Sequence, residues 1–171
     1  DNGADLIIIE TMTDSYETKA ALLAAKESCD LPVFVTNAYD ETGKLLTGAS
    51  PKAMIALLEG MRADAIGINC SLGPHQMKEI AGEYIKYSSL PVIVSPNAGM
   101  PRTENGRTFF DVDAEEFSAV MKEIAEMGAC VLGGCCGTTP DYIRATVEKT
   151  EALPFSPVEN KNLTLVSSYT H

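Results

Sequence analysis

The sequence predicts an α/β fold built on a parallel sheet, and three observations lead to this prediction. Five short apolar runs rich in Val and Ile alternate with segments of helical pattern along the whole chain. The runs are apolar on both faces, so helices or a closed barrel must cover them. Links from helix to strand are short, whereas links from strand to helix are long and rich in Gly, Asn and Pro, which is typical of folds that bind ligands at the carboxyl ends of their strands. The predicted strands are residues 6–10, 33–37, 65–70, 92–96 and 131–135.

Each predicted strand is followed by a predicted helix. Four of the helix starts carry a capping side chain, namely Asp14, Ser50, Asp113 and Thr139. A glutamate follows each of the two aspartates by three residues, which is the spacing of a capping box. Pro51 and Pro140 stand at the first helical position, where the backbone N–H has no partner in any case. Gly128 ends the fourth helix, so the sequence predicts five βα units.

The composition limits the possible classes of function. At 171 residues the chain has the length of one domain, and 45% of it is apolar, so disorder and coiled coil are excluded. The net charge of −11 repels nucleic acid and anionic membrane surfaces. No apolar run approaches the ~20 residues that span a bilayer. Five cysteines, an odd number, and no export leader at the start of the sequence favour a reduced, cytoplasmic setting over a disulfide scaffold.

Internal repeats show which residues are equivalent from one unit to the next. Residues 31–35 (LPVFV) recur as residues 90–94 (LPVIV), and residues 4–7 are matched by residues 63–66 and, more loosely, by residues 129–132. The alignment places six residues at the carboxyl ends of three strands: Glu10, Thr11, Asn69, Cys70, Cys135 and Cys136. These side chains are therefore expected to meet at one edge of the sheet.

Three of the five cysteines are predicted to bind one metal ion. Cys29 and Cys130 align with the opposite ends of the strands, where a free cysteine is expected to be a small, inert hydrophobe. Cys70 and the adjacent pair Cys135-Cys136 end strands two places apart, a gap of about 10 Å in an open sheet that strand tilt and side-chain reach can close. Glycines on both sides of the pair free the backbone to point both side chains at one centre.

Three thiolates suit zinc, at Zn–S distances of roughly 2.3 Å, and three protein ligands leave a fourth position open to a substrate. The alternative is a closed structural site with a fourth protein ligand. His75 is expected to be a solvated side chain in the first turn of a helix, and the terminal His171 is expected to be disordered. A zinc ion with three anionic sulfur ligands is suited to bind a further thiol as its nucleophilic thiolate. The expected chemistry is alkyl transfer to a substrate thiol.

At these motifs the sequence resembles the zinc-dependent homocysteine S-methyltransferase domain. The resemblance rests on residues 67–71 (GINCS), 96–101 (PNAGMP) and 133–140 (GGCCGTTP), and it covers essentially the whole chain. Gly137 after the cysteine pair, rather than an Arg, and residues 70–74 (CSLGP) favour one branch of the family. That branch is the N-terminal module of the cobalamin-dependent methionine synthases, ahead of the enzymes that use S-methylmethionine or betaine.

The resemblance implies a fold of the (β/α)8 TIM-barrel family in which the three cysteines bind zinc and the homocysteine sulfur takes the fourth position. It also implies that Glu10 binds the substrate amino group. Asn69 is expected to orient a cysteine or to contact the substrate, and the 97–107 loop, with Asn97, to form part of the substrate rim. The implied methyl donor is methylcobalamin, which is carried on a separate domain.

The chain resembles only the last five of the eight βα units, so an incomplete barrel is expected. Residues 1–155 are assigned to the partial homocysteine-binding barrel, and residues 156–171 to the start of an interdomain linker. The edge strands, residues 6–10 and 131–135, would lack partners, which predicts self-association, domain swapping or a flattened open sheet. The cobalamin and folate domains of the full-length enzyme are the expected partner modules, and the isolated fragment is expected to be inactive.

Two other hypotheses stay open at this point. One is a non-catalytic barrel fragment that needs a partner chain. The other is an open, doubly wound parallel sheet with redox chemistry at the adjacent cysteines. No G-x-G-x-x-G motif follows a strand, which weakens a dinucleotide-binding version of the second hypothesis.

Overall fold

Strands and helices alternate along the chain, apart from three successive strands at residues 92–110, in the computed structural model, which describes residues 3–104, 106–155 and 157–171. The strands are β1 (Ile7–Met12), β2 (Val33–Asn37), β3 (Ala65–Asn69), β4 (Val92–Ser95), β5 (Pro101–Glu104), β6 (Arg107–Phe110) and β7 (Val131–Leu132). The helices are α1 (Ser15–Ser28), α2 (Pro51–Gly60), α3 (Pro74–Tyr87), α4 (Ala114–Met127) and α5 (Pro140–Thr150).

The main sheet is parallel and follows the order of the chain, β1-β2-β3-β4-β7. Consecutive helices pack side by side along it. This confirms the predicted α/β fold with a five-stranded parallel sheet. A doubly wound sheet reverses its strand order partway along. The described strands show no such reversal, so the hypothesis of a doubly wound sheet does not hold.

The hydrophobic core lies on one face of this sheet, between the strands and the helices. In β3, Ile66 and Ile68 are fully buried in the core, and Gly67 and Asn69 point to the opposite face because side chains alternate along a strand. The helices supply further buried side chains: Leu22, Ile55, Leu58, Met77, Tyr84, Phe117, Met121 and Ile124. Burying one such side chain contributes about 1.5–3 kcal/mol. The opposite face is left for polar residues near the strand ends.

Several strand ends differ from the predicted ones, chiefly at the carboxyl edge. β3 ends at Asn69 rather than at residue 70, because Cys70 takes a φ of +60°, outside the β region. β4 stops one residue before its predicted end, β7 has two residues instead of five, and β1 runs two residues further than predicted. The N–H groups of Gly133 and Cys135 still donate to carbonyls of β4 and Pro96. The segment after β7 therefore keeps its place along β4.

The long link after β4 contains a hairpin that the sequence pattern does not predict. β5 and β6 pair as antiparallel strands, with Arg102 opposite Phe109. The Arg102 guanidinium also lies 2.9 Å from the Asp111 carboxylate. Four-residue strands carry too few alternating positions to be recognised from hydrophobic periodicity, and so the segment reads as an irregular loop.

Three of the four predicted helix caps are confirmed by hydrogen bonds. The side chains of Asp14, Ser50 and Asp113 each accept from a backbone N–H two or three residues further on, a bond that contributes about 1 kcal/mol. Thr139 makes no such bond, although α5 begins after it as predicted. Gly128 ends α4 with a φ of +122°. In the part of the chain that is described, none of the helices combines the length and apolar character of a membrane span.

The last residues of the chain fold back onto the start of α1. The Tyr169 hydroxyl donates to the Asp14 carboxylate at 2.7 Å, and its ring lies 4.4 Å from the ring of Tyr16. The N–H of His171 donates to Ser168 Oγ at 3.2 Å, and the disorder expected for this residue stays a prediction. The aromatic contact and the charged hydrogen bond of Tyr169 place the segment against α1.

Candidate metal centre

Three cysteine thiols meet beyond the carboxyl ends of β3 and β7. The Sγ atoms of Cys70, Cys135 and Cys136 all lie within 4.8 Å of one another, and those of Cys70 and Cys136 are 3.6 Å apart. Tetrahedral zinc with Zn–S bonds near 2.3 Å places its sulfur ligands about 3.8 Å apart. Among the described residues, no other group of three His, Cys, Asp or Glu side chains comes together in this way. The donor atoms and their spacing therefore fit zinc.

The carboxyl end of β4 holds both cysteine loops, because β4 lies between β3 and β7 in the sheet. The Ser95 carbonyl accepts from the N–H of Cys70 at 3.1 Å. The Pro96 carbonyl and the Asn97 side chain accept from the two N–H groups of the cysteine pair, at 2.8 and 3.0 Å respectively. Asn97 makes its bond through the side-chain Oδ1 and is 3% exposed. Sequence reasoning missed residues 95 and 96, because a backbone carbonyl is supplied by any residue type and leaves no signal in the sequence.

The backbone near the thiols takes conformations that few residues adopt. Cys70 and Ser71 both have positive φ, +60° and +65°. Left-handed conformations of non-glycine residues cluster at functional sites. Gly137, after the cysteine pair, has a φ of +80°, and a Cβ there would lie 2.3 Å from the Phe110 ring. The unusual dihedral expected of the glycines on both sides of the pair is found only after it, at Gly137, and Gly134 before the pair has no positive φ. The turn at Cys70 has no glycine to indicate it.

The neighbouring thiols disfavour ionisation of one another. Burial, followed by the hydrogen bond with Cys70, raises the pKa of Cys135 to about 12. The pKa of Cys136 is also raised, chiefly by its hydrogen bond with Cys70 and then by burial. A bound divalent cation reverses this balance, because a coordinated thiol is deprotonated. Metal binding at this centre is therefore coupled to the loss of thiol protons.

The three predicted substrate residues differ in whether their polar groups are exposed to a ligand. Glu10 is exposed two residues before the end of β1, on the face opposite the residues Ile7 and Ile9 that pack on the core. Asn97 is buried and bound to the N–H of a cysteine, and Asn69 is 2% exposed and bound to neighbouring strand ends. Of the three, only Glu10 offers an exposed functional group to a ligand.

Two cysteines and both histidines lie outside the centre. The thiols of Cys29 and Cys130 are on the amino-terminal side of the sheet, 3.7 and 3.6 Å from backbone carbonyls. His75, in the first turn of α3, is half exposed, and its Nε2 lies 2.8 Å from a carboxylate oxygen of Glu116. His171 stands with the folded-back tail. Among the described His, Cys, Asp and Glu side chains, only these three cysteines come together at the candidate centre.

Known proteins match most of the chain. The family model described as Homocysteine S-methyltransferase matches residues 1–150. The methionine synthase of Mycobacterium leprae (strain TN) is 38% identical over 150 residues, which cover 84% of this chain and 12% of that protein. The methionine synthase of Mycobacterium tuberculosis (strain ATCC 25618 / H37Rv) is 37% identical over 84% of this chain and 13% of its own length.

Solved structures also match. The apo form of the homocysteine methyltransferase MmuM from Escherichia coli has a TM-score of 0.71 and 25% identity, over 86% of this chain and 50% of that one. Its metallated form has the same TM-score and identity, over 86% of this chain and 46% of that one. The chain thus spans about half of the matched solved chains and about one eighth of the matched methionine synthases.

Proposed function

The chain belongs to the homocysteine S-methyltransferase family, and on that premise we propose that it is part of an enzyme that transfers a methyl group to the thiol of homocysteine to give methionine. The observation that carries the proposal is the group of three thiols at the carboxyl edge of a parallel sheet. The curated relatives are named methionine synthase, which favours the methionine synthase branch of the family. The alternative within the family is an enzyme that uses S-methylmethionine or betaine.

In this proposal Cys70, Cys135 and Cys136 hold zinc, and the ion, when bound, supplies the deprotonation of a coordinated substrate thiol. The residues of the chain position the ligands and attract the substrate. The end of β4 keeps the three ligands in place through their N–H groups. Glu10 attracts the ammonium group of homocysteine, because its carboxylate is exposed and negatively charged. Three protein ligands leave a coordination position for the substrate sulfur.

We further propose that the described sheet is the last five-eighths of a TIM barrel, with residues 1–155 as the partial barrel and 156–171 as the start of a linker. Two observations support this: the chain spans about half of the matched MmuM chains, and β1 and β7 each pair on one side only within the described residues. The methyl group would arrive as methylcobalamin on a separate domain, next to a folate domain. All five cysteines are free, which suits a reduced, cytoplasmic setting.

Binding of homocysteine tests the proposed substrate. The zinc-loaded chain is expected to bind L-homocysteine in isothermal titration calorimetry, and Glu10→Gln is expected to weaken the affinity about tenfold, because the ammonium group loses a charged acceptor. Glu27→Gln, at the far end of α1, is the matched control and is expected to bind like the wild type. Equal affinity of Glu10→Gln and wild type would remove Glu10 from the site. No binding to the zinc-loaded wild type, measured with the first three barrel units supplied, would contradict the proposed substrate.

The exposed sheet edges favour a second candidate, a barrel fragment that acts only with a chain supplying the first three units. Ile8 of β1 is 56% exposed and Val131 of β7 is 37% exposed. Unpaired edges invite pairing with another chain. We expect light scattering to give a mass above the 18.3 kDa of one chain, and methionine synthesis to need the added units. A dilute monomer that makes methionine from homocysteine and methylcobalamin by itself would exclude this candidate.

A further inference from the structure

The Asn69 side chain makes hydrogen bonds that join three strand ends beside the thiol group. Its Oδ1 accepts from the N–H of Thr11 at 2.8 Å and from the hydroxyl of Thr36 at 2.7 Å. Its Nδ2 donates to the Thr11 hydroxyl at 2.7 Å and toward the Sγ of Cys135 at 3.8 Å. A side-chain amide has two donors and two acceptor positions, so all four are in use. The residue is also 2% exposed, which leaves no polar group of the amide for a substrate.

We infer that Asn69 is a positioning residue whose amide couples the Cys135 thiol to the end of β1. The inference rests on the proposed function, since it takes the three thiols to be zinc ligands. A hydrogen bond from Nδ2 holds the sulfur in one direction before the metal arrives. Contacts of this kind, one step out from the metal, typically contribute 10–100-fold to metal affinity.

The backbone of β1 is irregular where Thr11 joins this network of hydrogen bonds. Thr11 has a φ of +61°, a left-handed conformation that is unusual for a β-branched residue. The pairing of β1 with β2 also shifts register between Ile9 and Met12, so the strand is irregular at this point. By accepting from the N–H and donating to the hydroxyl of Thr11, Asn69 stabilises the irregular end of β1. Glu10 immediately precedes Thr11, so one amide links a metal ligand to the residue proposed for the substrate amino group.

Asn69→Asp tests the inference with the smallest change of shape. It keeps an oxygen to accept from Thr11 and Thr36 but removes both Nδ2 donations. Zinc affinity of the full chain, measured by competition with a chromophoric chelator, is expected to fall about 10–100-fold. In the Co²⁺-loaded chain, the sulfur-to-cobalt charge-transfer absorption is expected to change. The added negative charge attracts a cation but also disfavours the neighbouring thiolate, so the loss is assigned to the missing donor only where the uncharged Thr11→Val variant loses affinity too.

Thr36→Val is the matched control, because it removes a hydrogen bond to the same buried amide and leaves the contacts with Thr11 and Cys135. It is expected to lower the Tm while zinc affinity and the cobalt spectrum stay at the wild-type values. If Asn69→Asp does not fold, Thr11→Val replaces it and is expected to cost about tenfold in zinc affinity. Unchanged zinc affinity in the folded variant, or an equal loss in Thr36→Val, overturns the inference. A wild-type chain that binds no zinc overturns the proposed function instead.

Discussion

Replacing Cys136 by serine is expected to abolish tight zinc binding. The wild-type chain, expressed in zinc-replete medium, is expected to carry about one zinc ion per chain, because its three thiols are spaced for one tetrahedral centre. Serine keeps the shape of the side chain but ionises far less readily than a thiol, so two ligands are left. The loss should exceed the ~10–100-fold that outer contacts contribute. Metal analysis of the dialysed protein measures it.

Cys130→Ser is the control for this experiment. It makes the same chemical change at a thiol on the other side of the sheet, where the sulfur contacts the carbonyl of Gly128 at 3.6 Å. This variant is expected to keep one zinc ion per chain. An equal loss of zinc in both variants would show that the thiols act through the fold and not as ligands. Zinc-free wild-type protein would remove the basis for a metal centre altogether.

Gly67→Ala is expected to destabilise the fold more than any surface change. A Cβ at this position would lie 1.9 Å from the backbone oxygen of Ile93 in β4, so the two paired strands must move apart or bend. Overpacking against backbone costs about 3 kcal/mol or more in the free energy of unfolding. For a chain of this length that lowers the Tm by about 10 °C, which differential scanning calorimetry measures. Asn69 and Cys70 follow Gly67, so zinc affinity should fall as well.

Gly60→Ala provides the comparison for that variant. Gly60 ends α2, and a Cβ there meets no atom within 4 Å. Alanine is the better helix former by up to about 1 kcal/mol, so the Tm of this variant should be unchanged or slightly raised. A Tm of Gly67→Ala within a few degrees of the wild type would contradict the close approach of β3 and β4.

The order of strands and helices could be predicted because its signals are local. The second strand, Val33–Asn37, has the bounds that its apolar run predicts, and the capping side chains of Asp14, Ser50 and Asp113 mark helix starts that the structure confirms. The β5–β6 hairpin was not predictable by the same means, because four residues are too few to show a period. The contact of Tyr169 with α1 has no local signal either, since it joins positions 155 apart.

The sequence by itself determined which cysteines share one edge of the parallel sheet, because the internal repeat aligns the strand ends and so puts Cys70, Cys135 and Cys136 there. Only the tertiary structure decided that their sulfurs lie within 4.8 Å of one another, and that Asn69 and the end of β4 hold them there. The physical reason is the separation along the sequence of the residues that make each contact. Placement at a strand end follows from local hydrophobic periodicity, whereas contacts between residues 58 or 66 positions apart depend on strand order, register and individual φ angles.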